Sequence, residues 1–383
     1  MIITSGMVFT PAFRFEQVNI RTRNGVITEV SDQEIIPEAG EEIVDASGSY
    51  VIPGLTDIHF HGAVGADLSD GTEDALQKIA AYEYSAGVTQ ICPATMTLPA
   101  ETVEQICLTA YQYQKKKEEA PGSDGISDLV GIHLEGPYIS PGKVGAQNPA
   151  YVQKADQAFL ERLLEETESL PKLITIAPEI PENLEVIKAL HDRIRFSVGH
   201  TSASYEEAAK GFDAGAKHMT HLYNAMPGLT HRAPGPIAAG AEIDEVTPEL
   251  ICDGIHVAPA AVRAAFRLFG PERMILISDS SRAAGLPDGE YELGGQKVYK
   301  HDGAVYLTPP GVEPATLASS STDLFTCMLR AMDMGIKPED AIRAATYNPA
   351  KAIGIDKDYG TIEAGKRANL LLLDEKFRLI KVL

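Results

Sequence analysis

The chain has 383 residues, 44% hydrophobic and 23% charged, an ordinary globular composition that supplies a core and excludes a disordered chain. Its 33 basic residues stand against 54 acidic ones, a net charge of -21, which argues against a broad nucleic-acid or anionic-membrane surface and requires any anionic small substrate to find a local cluster of donors. The four cysteines, Cys92, Cys107, Cys252 and Cys327, form no C-x-x-C pair, so neither a disulfide framework nor a thiolate zinc site is predicted. The start, "MIITSGMVFT", has no basic segment leading into a long apolar one, and no run of about 18 apolar residues occurs. A soluble, reduced, cytoplasmic protein is expected.

In chain order, the first fifty residues alternate short apolar stretches with turn residues. In "QVNIRTRNGVITEV", Asn24 and Gly25 have the left-handed preference of a tight hairpin. From Val51 the rhythm changes to apolar strands alternating with helical stretches such as "TEDALQKIAAYEYSAG" and "SYEEAAKGFDAG", the latter opening with a capping-box pattern from Ser204 to Glu207. That alternation is predicted to continue to about residue 350. After it, "GTIEAGKRANLLLLDEKFRLIKVL" returns to turns and strands, so residues 1–50 and 356–383 are expected to pair into one small β-sandwich-like subdomain beside a main domain over 51–355. About eight strands fall in that domain: "YVIPGLTDIHF", "VTQICPAT", "DLVGIHLE", "LITIAPE", "IRFSVGH", "AKHMTHL", "ELICDGIH" and "MILISDS". This count predicts an α/β fold of the (β/α)8 TIM-barrel type. A doubly wound open sheet is the competing architecture, but no Gly-rich phosphate fingerprint follows the first strand.

Chemistry in such barrels collects where the strands end, because the loops there share one mouth. The first strand ends in His59 and His61, the third in Glu135, the fifth in His200, the sixth in His221, the seventh in His256 and the eighth in Asp279. His59 and His61 are two apart, so in extended chain both rings point the same way. Singly, each of these residues has a structural explanation, as a backbone-bonded histidine or a capping carboxylate. Those explanations do not place them all on one rim. Imidazole nitrogens and carboxylate oxygens are ligands for zinc, and equally for iron, cobalt or manganese. His133 shares the parity of Glu135 but reads as a packed strand residue; His191, His218 and His301 are read as lying outside the site.

With these residues in hand, "VIPGLTDIHFHG" and "GTIEAGKRANLLLLD" resemble the amidohydrolase superfamily. More narrowly, "GIHLEGPYISPGKVGAQNP", "SVGHTSASYEEA", "MTHLYNAMPGLTHRAPGP", "CDGIHV" and "LISDSSRAAG" resemble its N-acetylglucosamine-6-phosphate deacetylase family, in the same order through nearly the whole chain. The resemblance implies a divalent metal held by Glu135, His200 and His221, with His59 and His61 building a second site that Glu135 bridges: one or two ions per subunit, zinc foremost, with iron, cobalt or manganese tolerated. It implies Asp279 as catalytic acid/base. Substrate contacts carry over to Ala146 and Gln147, to Asn224 and Ala225, to Arg232, to the run Asp253, Gly254, Ile255 and His256, and to Leu317, Ala318 and Ser319. Of these, Arg232 and His256 suit a phosphate, since a guanidinium fork matches its oxygens. "LITIAPEI" lacks the carboxylated lysine of dihydroorotases and hydantoinases.

Three positions depart from the family pattern. Gln147 stands where relatives often have a substrate-contacting histidine, "RAPG" replaces "REPG", and Ser319 replaces a glycine. The implied reaction is hydrolysis of the acetamide of a phosphorylated amino sugar by a homodimer with no nucleic-acid or membrane partner. N-acetylgalactosamine 6-phosphate or another N-acyl amine is the alternative substrate, and an inactive phosphosugar-binding protein is the alternative from a different class.

Overall fold

The computed structural model describes residues 1–119 and 125–383. Eight parallel strands form its centre: β1 (Leu55–Asp57), β2 (Val88–Ile91), β3 (Ile132–Glu135), β4 (Pro171–Ile176), β5 (Arg195–Val198), β6 (His218–Met219), β7 (Thr247–Ile251) and β8 (Ile275–Ile277). β1 pairs with β2, and β3 to β8 pair in sequence order within one sheet. Backbone bonds close the two remaining seams. Val130 N donates to Ile91 O at 2.9 Å and His133 N to Pro93 O at 3.0 Å between β2 and β3, and Asp279 N donates to His59 O at 2.9 Å between β8 and β1. The result is the (β/α)8 barrel that the strand count predicts.

Alternation along the strands sorts side chains to two faces. Ile132, Leu134, Ile174, Ile176, Leu250 and Leu276 pack in the large cluster shared with helix residues such as Leu76, Leu160 and Val262, while Leu173, Ile251, Ile275 and Ile277 form a separate apolar cluster. Both faces are therefore covered, as parallel strands require. The polar residues His133, Glu135, Thr175 and Glu249 fall on the second face by parity, and all are buried. Helix Tyr205–Asp213, after β5, opens with the predicted capping box: Ser204 Oγ accepts from Glu207 N at 3.2 Å, and Glu207 Oε2 accepts from Ser204 N at 2.8 Å. All four cysteines are buried and unpaired.

The chain ends build two further sheets. One has the order Val26–Ser31, Asn19–Arg23, Ile2–Thr4, Ile43–Asp45; the other runs Leu379–Val382, Leu370–Leu373, Tyr50–Pro53, Met7–Phe9, Phe15–Gln17. Asn24 and Gly25 have φ of 51° and 72°, the two left-handed residues of a type I′ hairpin turn. The run read as one first strand is divided at Gly54. Tyr50–Pro53 pairs with Leu370–Leu373, Gly54 N donates to Asn369 O at 2.8 Å, and Leu55 N then donates to Gly87 O as the barrel begins. A second difference follows β8. Instead of unbroken strand–helix alternation, the strands Gly289–Leu293, Gln296–His301, Ala304–Tyr306 and Leu317–Ser320 make an antiparallel sheet. Gly294 and Gly295, and then Asp302 and Gly303, all have positive φ, so two-residue hairpin turns override a helix here. Among the described residues no helix is long and apolar enough to cross a membrane.

Candidate active site

The predicted residues meet at the barrel mouth. Past the formal end of β1 the chain bends at His59 but stays anchored to both neighbours: Cys92 N donates to Asp57 O, Asp279 N to His59 O and Ala94 N to Phe60 O. Despite the bend, His59 and His61 both turn Nε2 to the same carboxylate, that of Glu135, as their shared direction in the sequence reading requires. Gly62, which follows, is needed for packing. A Cβ there would lie 2.1 Å from the Ala66 carbonyl oxygen, and backbone cannot yield as a side chain can. Gly62→Ala is expected to cost about 1–3 kcal/mol, read as a lowered thermal midpoint. His200, His221 and Asp279 occupy left-handed backbone, with φ of 45°, 28° and 49°. Strain of this kind on non-glycine residues concentrates at functional sites.

Glu135 sits at the focus. Its Oε1 lies 3.1 Å from His200 Nε2, 3.0 Å from His221 Nε2 and 3.2 Å from His59 Nε2; its Oε2 lies 3.2 Å from His61 Nε2. The two nitrogens of His200 and His221 are 3.0 Å apart. Asp279 Oδ1 is 3.5 Å from His61 Nε2 and 3.9 Å from His59 Nε2.

Hydrogen bonds on the far side of three of the four rings fix what their nitrogens present; His221 Nδ1 is buried without a partner among the described residues. Nδ1 donates to Lys143 O at 2.8 Å in His200, to Ala94 O at 3.2 Å in His61, and to Glu249 Oε2 at 2.8 Å in His59. Each acceptor can only accept, so the neutral ring turns a lone pair from Nε2 toward Glu135. Lone pairs crowded about a carboxylate repel one another unless a positive charge lies among them. His59 Nε2 is buried without a hydrogen-bond partner among the described residues. Ligand atoms about 2.0–2.2 Å from a tetrahedral zinc-class ion sit roughly 3.3 Å from one another, close to the separations found here. The groups Glu135, His200, His221 and His59, His61, Asp279 thus both fit a divalent cation. The demand for positive charge shows in the rings as well: burial opposes charge on His61, but Asp279 and Glu135 overcome it and raise its pKa to about 10. Burial also opposes charge on Glu135, yet the surrounding histidines, His59 foremost, hold it well below the usual carboxylate range.

A cavity of about 120 Å³ opens onto these groups. Ala146, Gln147, Asn224, Ala225, His256, Leu317 and Ala318 from the expected substrate set line it, as do Met96 and Gly145, which sequence reading missed. Gln147 is held on both sides: its Oε1 accepts from Thr97 N at 2.6 Å and its Nε2 donates to Glu135 Oε2 at 2.6 Å. His256 Nδ1 lies 2.7 Å from Asp253 Oδ2; burial opposes its charge, but that carboxylate prevails and raises its pKa. Five expected contacts stand off the cavity wall. Arg232 and Gly254 are exposed, Ile255 is 37% exposed, Asp253 lies behind His256, and Ser319 is buried with its Oγ 3.4 Å from Ser320 O.

Two buried carboxylates also escaped sequence reading. Asp57 accepts from His59 N at 3.2 Å and Ser278 N at 3.3 Å, and burial pushes its pKa up to about 7 against those bonds. Glu249 bonds three histidine residues, one of them through its backbone, and despite burial His59 and His218 keep it well below the usual range. His133, 4.5 Å from the His59 ring, donates from Nδ1 to Ile58 O and accepts from Thr175 Oγ1 at 2.8 Å; burial, with His59 beside it, pushes its pKa down to about 3. It is a neutral packing residue, as its sequence reading has it. The only signal for Glu249 was an acidic side chain inside the apolar run "ELIC".

Comparison with known proteins agrees with this geometry. The Amidohydrolase family matches residues 50–382. N-acetylgalactosamine-6-phosphate deacetylase of Escherichia coli O157:H7 is 33% identical over 93% of this chain and 90% of its own length. N-acetylglucosamine-6-phosphate deacetylase of Bacillus subtilis is 34% identical over 93% of this chain and 89% of its own length. Among solved structures, a mutant N-acetyl-D-glucosamine-6-phosphate deacetylase from Mycobacterium smegmatis in complex with N-acetyl-D-glucosamine-6-phosphate superposes with a TM-score of 0.89 at 30% identity, over 100% of this chain and 97% of that one. The corresponding enzyme of Thermotoga maritima gives 0.86 at 31% identity, over 100% and 98%. The chain belongs to the amidohydrolase family, hydrolases that act on amide bonds.

Proposed function

We propose that this protein hydrolyses the acetamide of N-acetyl-D-glucosamine 6-phosphate, releasing acetate and D-glucosamine 6-phosphate. The observation that carries the reading is the convergence of four imidazole Nε2 atoms on Glu135 beside Asp279, at the base of a cavity whose relatives act on such sugars. Glu135, His200 and His221 would hold one ion and His59 with His61 a second, zinc foremost. When bound, such an ion polarises water and the amide carbonyl so that attack proceeds at neutral pH. Asp279 takes the proton of the attacking water and returns one to the leaving nitrogen. His256, its Nδ1 secured by Asp253, offers its other edge to the developing oxyanion or to the phosphate. Gln147 borders the acetamide.

A cavity of about 120 Å³ is smaller than the roughly 300–1,000 Å³ that encloses a drug-sized ligand. It takes the acetamide end, and the sugar phosphate extends over the rim, toward the loop of Arg232. The same reading has a cytoplasmic homodimer, with residues 1–50 and 356–383 as a unit beside the barrel of 51–355; the separate apolar cluster of Ile3, Val8, Ile20, Ile27 and Leu370 supports such a unit but also contains Val51, and the pairing of Tyr50–Pro53 with Leu370–Leu373 moves its boundary to Gly54.

The galactosamine epimer is the second reading, because one relative of similar identity carries that name. Acetate release, measured in steady state with both 6-phosphates and with unphosphorylated N-acetylglucosamine, tests the assignment. The expected order of kcat/KM is glucosamine epimer, galactosamine epimer, unphosphorylated sugar. Reversal of the first two transfers the assignment to the epimer, and sugar-phosphate binding without acetate release rejects the enzyme altogether.

A further inference from the structure

We propose that Glu249 is a positioning residue that presents His59 to a cation and thereby sets how tightly the His59–His61 half of the site holds its ion. The inference rests on the metal site proposed above and assigns a role to a residue that touches neither ion nor substrate.

Glu249 is fully buried on β7, and both its oxygens are engaged. Oε2 accepts from His59 Nδ1 at 2.8 Å and also from the backbone N–H of His221 at 3.1 Å; Oε1 accepts from His218 Nε2 at 3.1 Å. His218 is steadied in turn by the Thr247 hydroxyl, 2.6 Å from its Nδ1. Because the carboxylate only accepts, the His59 proton must sit on Nδ1, and the Nε2 lone pair is committed toward Glu135, 3.2 Å away. A carboxylate behind a ligating imidazole fixes ring and tautomer and makes the ligand more basic. His61 has a weaker support, a neutral carbonyl at 3.2 Å, so of the two rings in this half of the site only His59 is backed by a carboxylate. The oxygen that holds His59 also holds the backbone of His221, whose φ is 28°, so one side chain ties together ligands from β1 and from the end of β6.

A third ion among His59, His133 and Glu249 is an alternative, since their candidate ligand atoms lie within 4.8 Å of one another. The bonding argues against it. Both oxygens of Glu249 receive N–H donors, and both nitrogens of His133 are occupied by Ile58 O and Thr175 Oγ1, so this cluster is a hydrogen-bonded support and not a cation site.

The test uses the full chain and zinc alone, without substrate. Glu249→Gln keeps the shape and one acceptor oxygen but removes the charge; Glu249→Met keeps the bulk and removes both acceptors. Zinc per chain is measured by elemental analysis after dialysis against a competing chelator, and the thermal midpoint of each metal-free protein is recorded. Wild type is expected to take up two ions. The weaker is expected to bind about 10-fold less tightly in the glutamine variant and up to about 100-fold less in the methionine variant, with the tighter ion affected less and the metal-free glutamine variant still unfolding in one transition, at a lowered midpoint because its amide nitrogen faces a buried N–H donor. If the methionine variant does not fold, the glutamine variant decides alone. Wild-type affinity for the weaker ion in a folded variant overturns the inference, as does equal loss of both ions or a wild type that saturates at one. A wild type that binds no zinc overturns the metal site itself, which separates the two failures.

Discussion

Glu135→Gln is expected to empty the site of metal while leaving the fold intact. Glu135 is the one carboxylate grouped with His200 and His221, and its two oxygens also face His59 and His61. An amide there cancels the negative charge that draws a cation in. It also supplies an N–H that can donate to the histidine lone pairs, which relieves the repulsion described above. In the metal-free chain, however, the same rings hold Glu135 well below the usual carboxylate range, an attraction that the amide gives up, so the variant should fold but melt somewhat below the metal-free wild type, as expected for a residue only 2% exposed. Turnover should fall by a factor on the order of 10³ or more, since polarisation of water and carbonyl is worth several kcal/mol and each 1.36 kcal/mol is tenfold. Elemental analysis, thermal denaturation and acetate release on one preparation check the three parts together. Retention of metal at the wild-type level would show that the histidines alone carry the site.

The sequence was most legible where local chemistry and tertiary position make the same demand. Asn24–Gly25 and the Ser204–Glu207 capping box act over two to four residues and form as their pattern predicts. The rim residues His59, His61, Glu135, His200, His221 and Asp279 were legible for another reason. A barrel returns every strand end to one place, so a polar residue terminating each apolar run locates the mouth without any knowledge of contacts. Glu249 was opaque because its meaning depends on three neighbours from β1 and β6, strands that only the closed ring brings to it. Arg232 shows the opposite limit: its residue type suits a phosphate, but nothing in a loop sequence fixes where a guanidinium points, and it stands exposed off the cavity. The split at Gly54 was hidden because Tyr50–Pro53 and Leu55–Asp57 are both apolar and extended. Only their partners, Leu370–Leu373 for one and Val88–Ile91 for the other, tell them apart.

Asp279→Asn is expected to remove most of the turnover and little else. The backbone at this residue is clamped from two sides, with its N–H on His59 O and its carbonyl receiving Ser320 N, both at 2.9 Å. Its φ of 49° is a conformation that asparagine tolerates better than most residues, so the substitution changes the oxygen's chemistry without displacing the strand end. Alanine would add a backbone cost and confuse the two effects. Asparagine cannot take a proton from water at neutral pH, and loss of a general acid–base typically costs about 10²–10⁴ in rate. The expected result is kcat lowered by that factor, a thermal midpoint near wild type, and zinc still bound at Glu135, His200 and His221. Zinc content separates the two roles open to a carboxylate oxygen 3.5 Å from His61 Nε2. If activity and one equivalent of zinc disappear together, and activity returns when zinc is added in excess, Asp279 is a ligand of the second ion and not the proton carrier. If the ions stay and activity does not return, the proton passes through Asp279.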